Sequence, residues 1–377
     1  MIVPAVCGLI LIAIILLEAF ETIILPRRVA RRFRLTRAFY LSVWIPWRAI
    51  APTIKSRKVR ETFLSFFGPL SLLVLFALWA TLLIIGFGLL YYGNTPHDPT
   101  RPPLQTCFYL SGTTFFTLGL GDVTPHTSAE RVLAVFESGL GFGFLALIIS
   151  YLPVIYQAFS KREVAIVLLD ARAGSPPTAT ELLLRHPGPQ GLEALQELFR
   201  DWEHWSAELL ESHISYPVVS YFRSQHSNES WVGALASILD TTALLIALTD
   251  NSCSRQARLT FAMCRHTIAD LAQVFFTRPR PMTSNRLPPA DFSRLRASLS
   301  HAGFVLLDDA VSNKKLQELR DLYEPYLNAL ARYLCMELPP WILSKEITDN
   351  WKTSAWGRIS GASAGGHATP ADIEDHF

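Results

Sequence analysis

The chain has 377 residues, 34 Lys plus Arg against 32 Asp plus Glu, and a formal net charge of only +2, which argues against the strongly basic balance of a nucleic-acid binder. Half of its residues are apolar and only 18% are charged, against about 25% in ordinary soluble domains, and the apolar excess lies in the first 160 positions, so a wholly soluble enzyme is disfavoured too. The near-neutral average conceals a split: residues 1–160 carry 13 basic and 7 acidic side chains, the remainder 21 and 25, which implies two environments.

In chain order, the first apolar stretch is Ile2 to Leu25, long enough at 1.5 Å per residue to cross a hydrocarbon core of about 30 Å. It lacks a basic leader and closes in Pro26-Arg27-Arg28, so it reads as a retained transmembrane helix (1–25) rather than a signal peptide. Glu18 and Glu21, its only charges, share one helix face. Glu21, near the cytoplasmic interface, could pair with Arg27, Arg28 or Arg31, and Glu18 lies about a turn deeper; local ion pairing that fixes the helix end is expected, with a coupling role as the alternative.

Residues 26–62 hold eleven Lys or Arg and no acid up to Arg60, interleaved with Phe33, Phe39, Tyr40, Trp44 and Trp47. This predicts an interfacial linker against anionic lipid headgroups. The positive-inside rule makes it cytoplasmic, with the N-terminus outside and the C-terminus cytoplasmic. Its charges face lipid, so no nucleic-acid partner is expected. Phe63 to Tyr92 has no charge and predicts a second span. Leu104 to Leu120 is too short and too rich in Gly and Thr to cross and return as regular structure, and reads as a re-entrant loop. Val132 to Ser160, with Glu137 as its only charge, predicts a third span ending at Lys161-Arg162.

Beyond it, Gly174-Ser175-Pro176-Pro177 and Pro187-Gly188-Pro189 punctuate a linker (161–190). From Gly191, apolar residues from Leu192 and Leu195 through Trp202, Trp205 and Leu209 recur at three and four, the spacing of one helix face. Further helices are expected at Ser215 to Ser224, Trp231 to Thr249, Arg255 to Phe276, Asp291 to His301 and Asn313 to Met336. Trp231 to Thr249 carries Asp240 and two Thr at its centre and reads as a buried helix rather than a fourth span. The fold class is therefore an all-α membrane protein: three spans and a re-entrant segment, a helical cytoplasmic domain (191–355) and a disordered tail (356–377). Cys7, Cys107, Cys253, Cys264 and Cys335 lack regular spacing, so reduced thiols are expected, without a disulfide framework or zinc site.

The re-entrant loop reads Ser111-Gly112-Thr113-Thr114-Phe115-Phe116-Thr117-Leu118-Gly119-Leu120-Gly121-Asp122. Gly119 and Gly121 are required where a chain must turn successive carbonyls toward one axis, through backbone angles closed to residues with a Cβ. Such carbonyls replace an ion's water shell. Thr117 can add a hydroxyl oxygen, and Leu118 and Leu120 are expected to pack outward against Tyr109 and Phe115. Asp122 places a carboxylate at the outer mouth. Glu137 needs a partner inside the membrane; Ser111, Thr113 or Thr114 of the pore helix could donate to it, as a structural tie or as a proton- or ion-sensitive gate element.

This T-x-G-x-G-D motif, between two spans, resembles the potassium-channel pore module of outer helix, pore helix, filter and inner helix, here residues 63–160. The resemblance implies a homotetramer around one axis, with K+ held by carbonyls of Thr117, Leu118, Gly119 and Leu120. It also implies passive conduction without a cofactor beyond the ion, in the plasma membrane (the inner membrane of a bacterium). A hinge glycine is implied in the inner helix, best matched by Gly141 with Gly139 and Gly143 beside it; a kink near Pro153 is a further gating point. Leu120 replaces the usual aromatic, as in the second filter of some two-pore-domain potassium channels, and Phe116 replaces a Thr, which leaves a weakly selective cation channel as an alternative. A non-conducting receptor is the alternative from a different class.

No G-x-G-x-x-G turn, nucleophile elbow, phosphate loop or HExxH helix occurs, so no enzyme class and no nucleotide-binding regulator gains support. His204, Trp205, His213, Tyr216, Tyr221, Arg223 and His226 form a polar-aromatic cluster that reads as helix packing or as a site for an unknown cytoplasmic ligand. His97 and His126 flank the outer mouth, as incidental loop residues or as external pH sensors.

Overall fold

The computed structural model describes residues 2–25, 34–95, 102–225, 228–250, 253–280, 285–307 and 310–343. Arg27, Arg28, Arg31, His97, His226 and the tail 356–377 lie outside the described residues. Among those described, the regular elements are helical, and the chain divides into two compact units, 1–53 with 63–157 and 54–62 with 158–377.

The first unit contains α1 (Ile2–Ala19), continued by a π-helical turn Phe20–Ile24, α2 (Leu35–Ile50), α4 (Phe67–Asn94), α5 (Leu104–Phe115) and the first part of α6 (Ser128–Ala173); α3 (Arg57–Ser65) precedes α4. With no hydrophobic drive between helices in lipid, packing there depends on close backbone approach through small residues. α4 supplies it on two faces. A Cβ on Gly8 of α1 would stand 2.4 Å from the Gly86 carbonyl oxygen, and one on Gly93 would meet Ala5, so this face seats α1. Gly88 takes the ring of Phe108, so the other face seats α5. α2 packs on the start of α4 through Trp44 on Phe67, and Trp47 stacks on Phe63 of α3, with ring centroids 4.6 and 4.5 Å apart.

Glu18 is 1% exposed, and its carboxylate accepts the Thr36 backbone N–H at 3.1 Å and the Thr36 hydroxyl at 2.9 Å. It thus caps the N-terminus of α2 from another helix, a placement favoured by the orphan amides and dipole there. Glu21 lies 3.8 Å from Arg34. The expected pairing partners Arg27, Arg28 and Arg31 lie outside the described residues; the cap was not expected, because Thr36, far from Glu18 in sequence, is brought beside it by tertiary folding.

The second unit is built around α9 (Trp231–Leu248), every residue of which is buried. It is enclosed by α7 (Ala179–Leu184), α8 (Gly188–Ser215), α10 (Ser254–Val274) and α12 (Ala310–Leu334), with α11 (Pro289–His301) beside α7. Trp231–Leu248 is apolar and long enough to span a bilayer; here it is the core of a domain. α8 buries Leu195, Leu198, Phe199, Trp202, Trp205 and Leu209, the face expected from the spacing, and α10 stitches onto it through Thr260 to the Phe199 carbonyl and Thr267 to that of Ser206.

Three boundaries differ from those expected. The third span does not end in a linker at Lys161: α6 continues to Ala173, burying Arg162, Glu163, Ile166, Leu169, Asp170 and Ala173 along one face. Charges at 161–162 end a hydrocarbon segment, but only Gly174, at φ +82°, ends the helix. Residues 54–62 belong with the second unit, where Arg57 and Arg60 pair with Glu337 at 3.0 Å and Glu61 with Arg223 at 3.5 Å. The helix expected at Ser215 to Ser224 is a 3-10 turn, Pro217–Tyr221, after the end of α8.

Candidate ion-conduction site

α5 ends in a turn that launches the segment 117–122. The Leu118 N–H donates to the Thr113 carbonyl at 2.8 Å and the Thr117 N–H to that of Thr114 at 3.0 Å, the paired bonds of a Schellman cap. Such a cap needs a left-handed residue, usually Gly; here it is Thr117, at φ +53°. Gly119 and Gly121 follow at φ +58° and +78°. Left-handed residues thus alternate with ordinary ones from 117 to 121. Nothing lies within 4 Å of a Cβ built on Gly119 or Gly121, so conformation alone calls for glycine there.

The side chains expected to pack behind this strand do not do so within one chain. Leu118 and Leu120 are 60% and 63% exposed, and Phe116 is also exposed. Tyr109 instead donates its hydroxyl to Asp122 at 2.8 Å, tying the pore helix to the far end of the motif.

Glu137 is fully buried. The Ser111 hydroxyl donates to one carboxylate oxygen and Tyr91 of α4 to the other, at 2.8 Å. Of the three donors expected, only Ser111 serves: Thr113 turns to the Leu110 carbonyl, while Thr114 lies beside the Tyr91 hydroxyl. The carboxylate therefore joins all three helices of the hairpin. Tyr91 was not foreseen, since a tyrosine at the end of an apolar span carries no sequence mark of its partner. A second tie was legible: Thr127-Ser128-Ala129-Glu130 is a capping box. Thr127 Oγ1 accepts the Glu130 N–H at 3.2 Å, and Glu130 accepts the Thr127 and His126 N–H groups and the Thr95 hydroxyl.

The three inner-helix glycines are not equivalent. A Cβ on Gly141 would stand 2.0 Å from the Phe115 carbonyl oxygen, whereas Cβ atoms on Gly139 and Gly143 would meet nothing within 4 Å. Gly141 is where α6 presses on the end of α5; Gly139 and Gly143 sit on a bare face with exposed Val132, Val135, Phe136, Phe142 and Ile149. α6 is unbroken at all three glycines and through Pro153.

In the second unit, Asp240 at the centre of α9 takes Arg286 in a two-pronged pair, 2.6 and 3.3 Å, and the Tyr323 hydroxyl; Glu324 takes Arg320 at 3.2 Å. In the polar-aromatic cluster, Trp205 donates to the Arg162 carbonyl, Arg223 to those of Leu334 and Cys335, and Tyr221 meets the Tyr333 hydroxyl. Burial and then the adjacent Arg162 guanidinium hold the His213 imidazole well below its usual range, so it stays neutral. A cleft of about 370 Å³, lined in part by Arg57, Pro176, Asn228, Ser230, Glu337 and Pro339, opens beside the start of α9. Among the described residues, no group of three or more His, Cys, Asp or Glu could hold a metal ion.

Residues 78–157, from within α4 to just past Pro153, match the family model for ion channels. A membrane protein of Bacillus subtilis (strain 168), YdjJ, described as uncharacterized, is 23% identical over 263 residues, covering 67% of this chain and 75% of that protein. No solved structure matches. The chain is thus an all-α membrane protein in which residues 78–157 resemble an ion-channel module.

Proposed function

We propose that four copies of this chain surround one axis as a potassium-selective channel in the plasma membrane (the inner membrane of a bacterium), with the N-terminus outside and the helical domain in the cytoplasm. The observation that carries the reading is the alternation of left-handed backbone at Thr117, Gly119 and Gly121 on the residues of the ion-channel match. A chain alternating in hand turns successive carbonyls to one side, and four such chains would present the stacked oxygen rings that substitute for the water shell of K+. Asp122 would draw cations to the outer mouth. Conduction is passive and uses no cofactor beyond the ion.

Four copies account for the exposed side chains. A bare, apolar inner-helix face with Gly139 and Gly143 suits a helix that meets its copies and bends there, while Leu118 and Leu120 find cover only in neighbours. The basic, aromatic linker to Arg60 would lie on anionic headgroups.

The test is the reversal potential of the purified protein in a bilayer with potassium on one side and sodium on the other. A value near the potassium Nernst potential, with current abolished by Gly119→Ala, is expected. A value near zero with robust current would mark a weakly selective cation channel, for which Phe116 and Leu120 are the motivating residues. No current from either protein would favour a receptor.

A further inference from the structure

Glu229 lies in the second unit, one residue before Ser230, the N-cap of α9. It is 7% exposed, and neither carboxylate oxygen has a hydrogen-bond partner among the described residues. Ionised, such a group gives up its hydration for nothing in return, among the costliest arrangements a fold can hold. The charges that act on it deepen the cost. Glu163 and Asp170, both buried and two turns apart on one face of α6, confront it as like charges.

Two nearby cations have other partners. Arg162 pairs with Glu163 at 2.8 Å, donates to the Val219 and Phe222 carbonyls at 2.9 Å and lies 3.4 Å from the neutral His213 of α8. Arg57, at the cleft lined by Asn228 and Ser230, pairs with Glu337. Buried beside two like charges and without a hydrogen-bond partner among the described residues, the Glu229 carboxyl has a proton as its chemical resolution.

We infer that Glu229 is a proton-binding site of the helical domain: protonated, it lets residues 161–173 of α6 stay packed on the domain, and ionised, it repels Glu163 and Asp170 and loosens that packing. Burial first, then Asp170 and Glu163, push its carboxyl up to about 8 from an ordinary 4.5. The folded value lies above the unfolded one, so the packed state binds the proton more tightly. Its advantage is complete below the unfolded value, falls by up to about tenfold per pH unit as pH rises toward 8, and is constant above it. Glu163 and Asp170 ride on the same unbroken helix as Gly139 to Gly143, so under the channel reading the proton acts on the gate. The proton site itself does not depend on that reading.

The experiment uses the full chain in lipid nanodiscs. The protonated-carboxyl infrared band and the thermal-unfolding midpoint are followed from about pH 6 to about pH 10, for the wild type and for Glu229→Gln, which keeps the shape and stays neutral. The expected result is a band in the wild-type-minus-variant difference that titrates near 8, with a wild-type midpoint that falls progressively below that of the variant as pH rises and a gap that levels off above about 8. Asp170→Asn should move the titration to lower pH, which a merely structural carboxyl would not do. The inference is overturned if the difference shows no such band, or if Glu229→Gln keeps the alkaline loss of stability. It is equally overturned if calcium or magnesium chloride near neutral pH stabilises the wild type but not the variant without a protonated-carboxyl band, since the occupant would then be a metal cation. Rubidium uptake into liposomes should lose its dependence on internal pH in Glu229→Gln; uptake absent from both proteins, with the infrared difference present, would sink the channel reading alone.

Discussion

The two units are both helical, yet they hold together by opposite means. In the first, α4 meets α1 and α5 through Gly86, Gly93 and Gly88, where a single added methyl would strike the Ile12 side chain, Ala5 or the Phe108 ring. In the second, α9 is buried under large side chains, with Trp231, Leu235, Leu239 and Leu244 at or below 1% exposure. The solvent explains the contrast. Water rewards the burial of large apolar side chains at roughly 25 cal/mol per Å², whereas lipid is as apolar as leucine, leaving close contact and a few satisfied polar ties as the sources of specificity. Polar ties follow the same division: the first unit holds single carboxylates on hydroxyls and amides, Glu137 and Glu18, while the second buries ion pairs between full charges.

The largest effect should come from the ion pair. Asp240→Ala strands Arg286 inside the second unit and is expected to cost about 3–5 kcal/mol, as breaking a buried pair usually does. Replacing both partners, Asp240→Leu with Arg286→Met, should recover most of that loss. Thermal unfolding of the purified protein checks both, and a double variant no better than the single would show that the network, rather than the desolvated charge, is what matters.

Next comes the close approach in the first unit. Gly141→Ala must move backbone away from backbone and should cost about 1–3 kcal/mol or more, with loss of ion flux, while Gly139→Ala and Gly143→Ala leave stability unchanged. Stability and rubidium flux measured side by side separate packing from hinge. If Gly141→Ala is as stable as the other two, the close contact with Phe115 does not hold the pore helix. The smallest effect belongs to the cap: Glu18→Gln keeps one acceptor but loses the charge at the start of α2, for an expected loss of about 0.5–1 kcal/mol. Unfolding followed by Trp44 and Trp47 fluorescence would show it, and a larger loss would mean that Glu18 anchors more than the end of one helix.

Much of this was legible beforehand where a local rule acts alone. Gly119 and Gly121 announce left-handed backbone, the apolar runs announce spans, and the polar centre of Trp231 to Thr249 announces a helix buried in protein, where Asp240 does find Arg286 and Tyr323. Residues whose meaning depends on a distant partner were legible only by half. Glu137 demanded a donor, and Ser111 was among those named, but Tyr91 was not. Gly141 was singled out as a hinge by its spacing, whereas its closest neighbour is the Phe115 carbonyl.

The amino-acid sequence alone determined the helical class, the membrane spans, the re-entrant segment and the positions that require glycine, because hydrophobic length and backbone sterics act over a few neighbouring residues. Tertiary structure alone decided that α6 runs on to Ala173, that Glu18 caps α2, that Thr117 closes the pore helix and that Glu229 is buried against Glu163 and Asp170. Each of those depends on which groups are brought within a few ångströms across long stretches of chain, and burial then sets the energetic cost of leaving them unpaired.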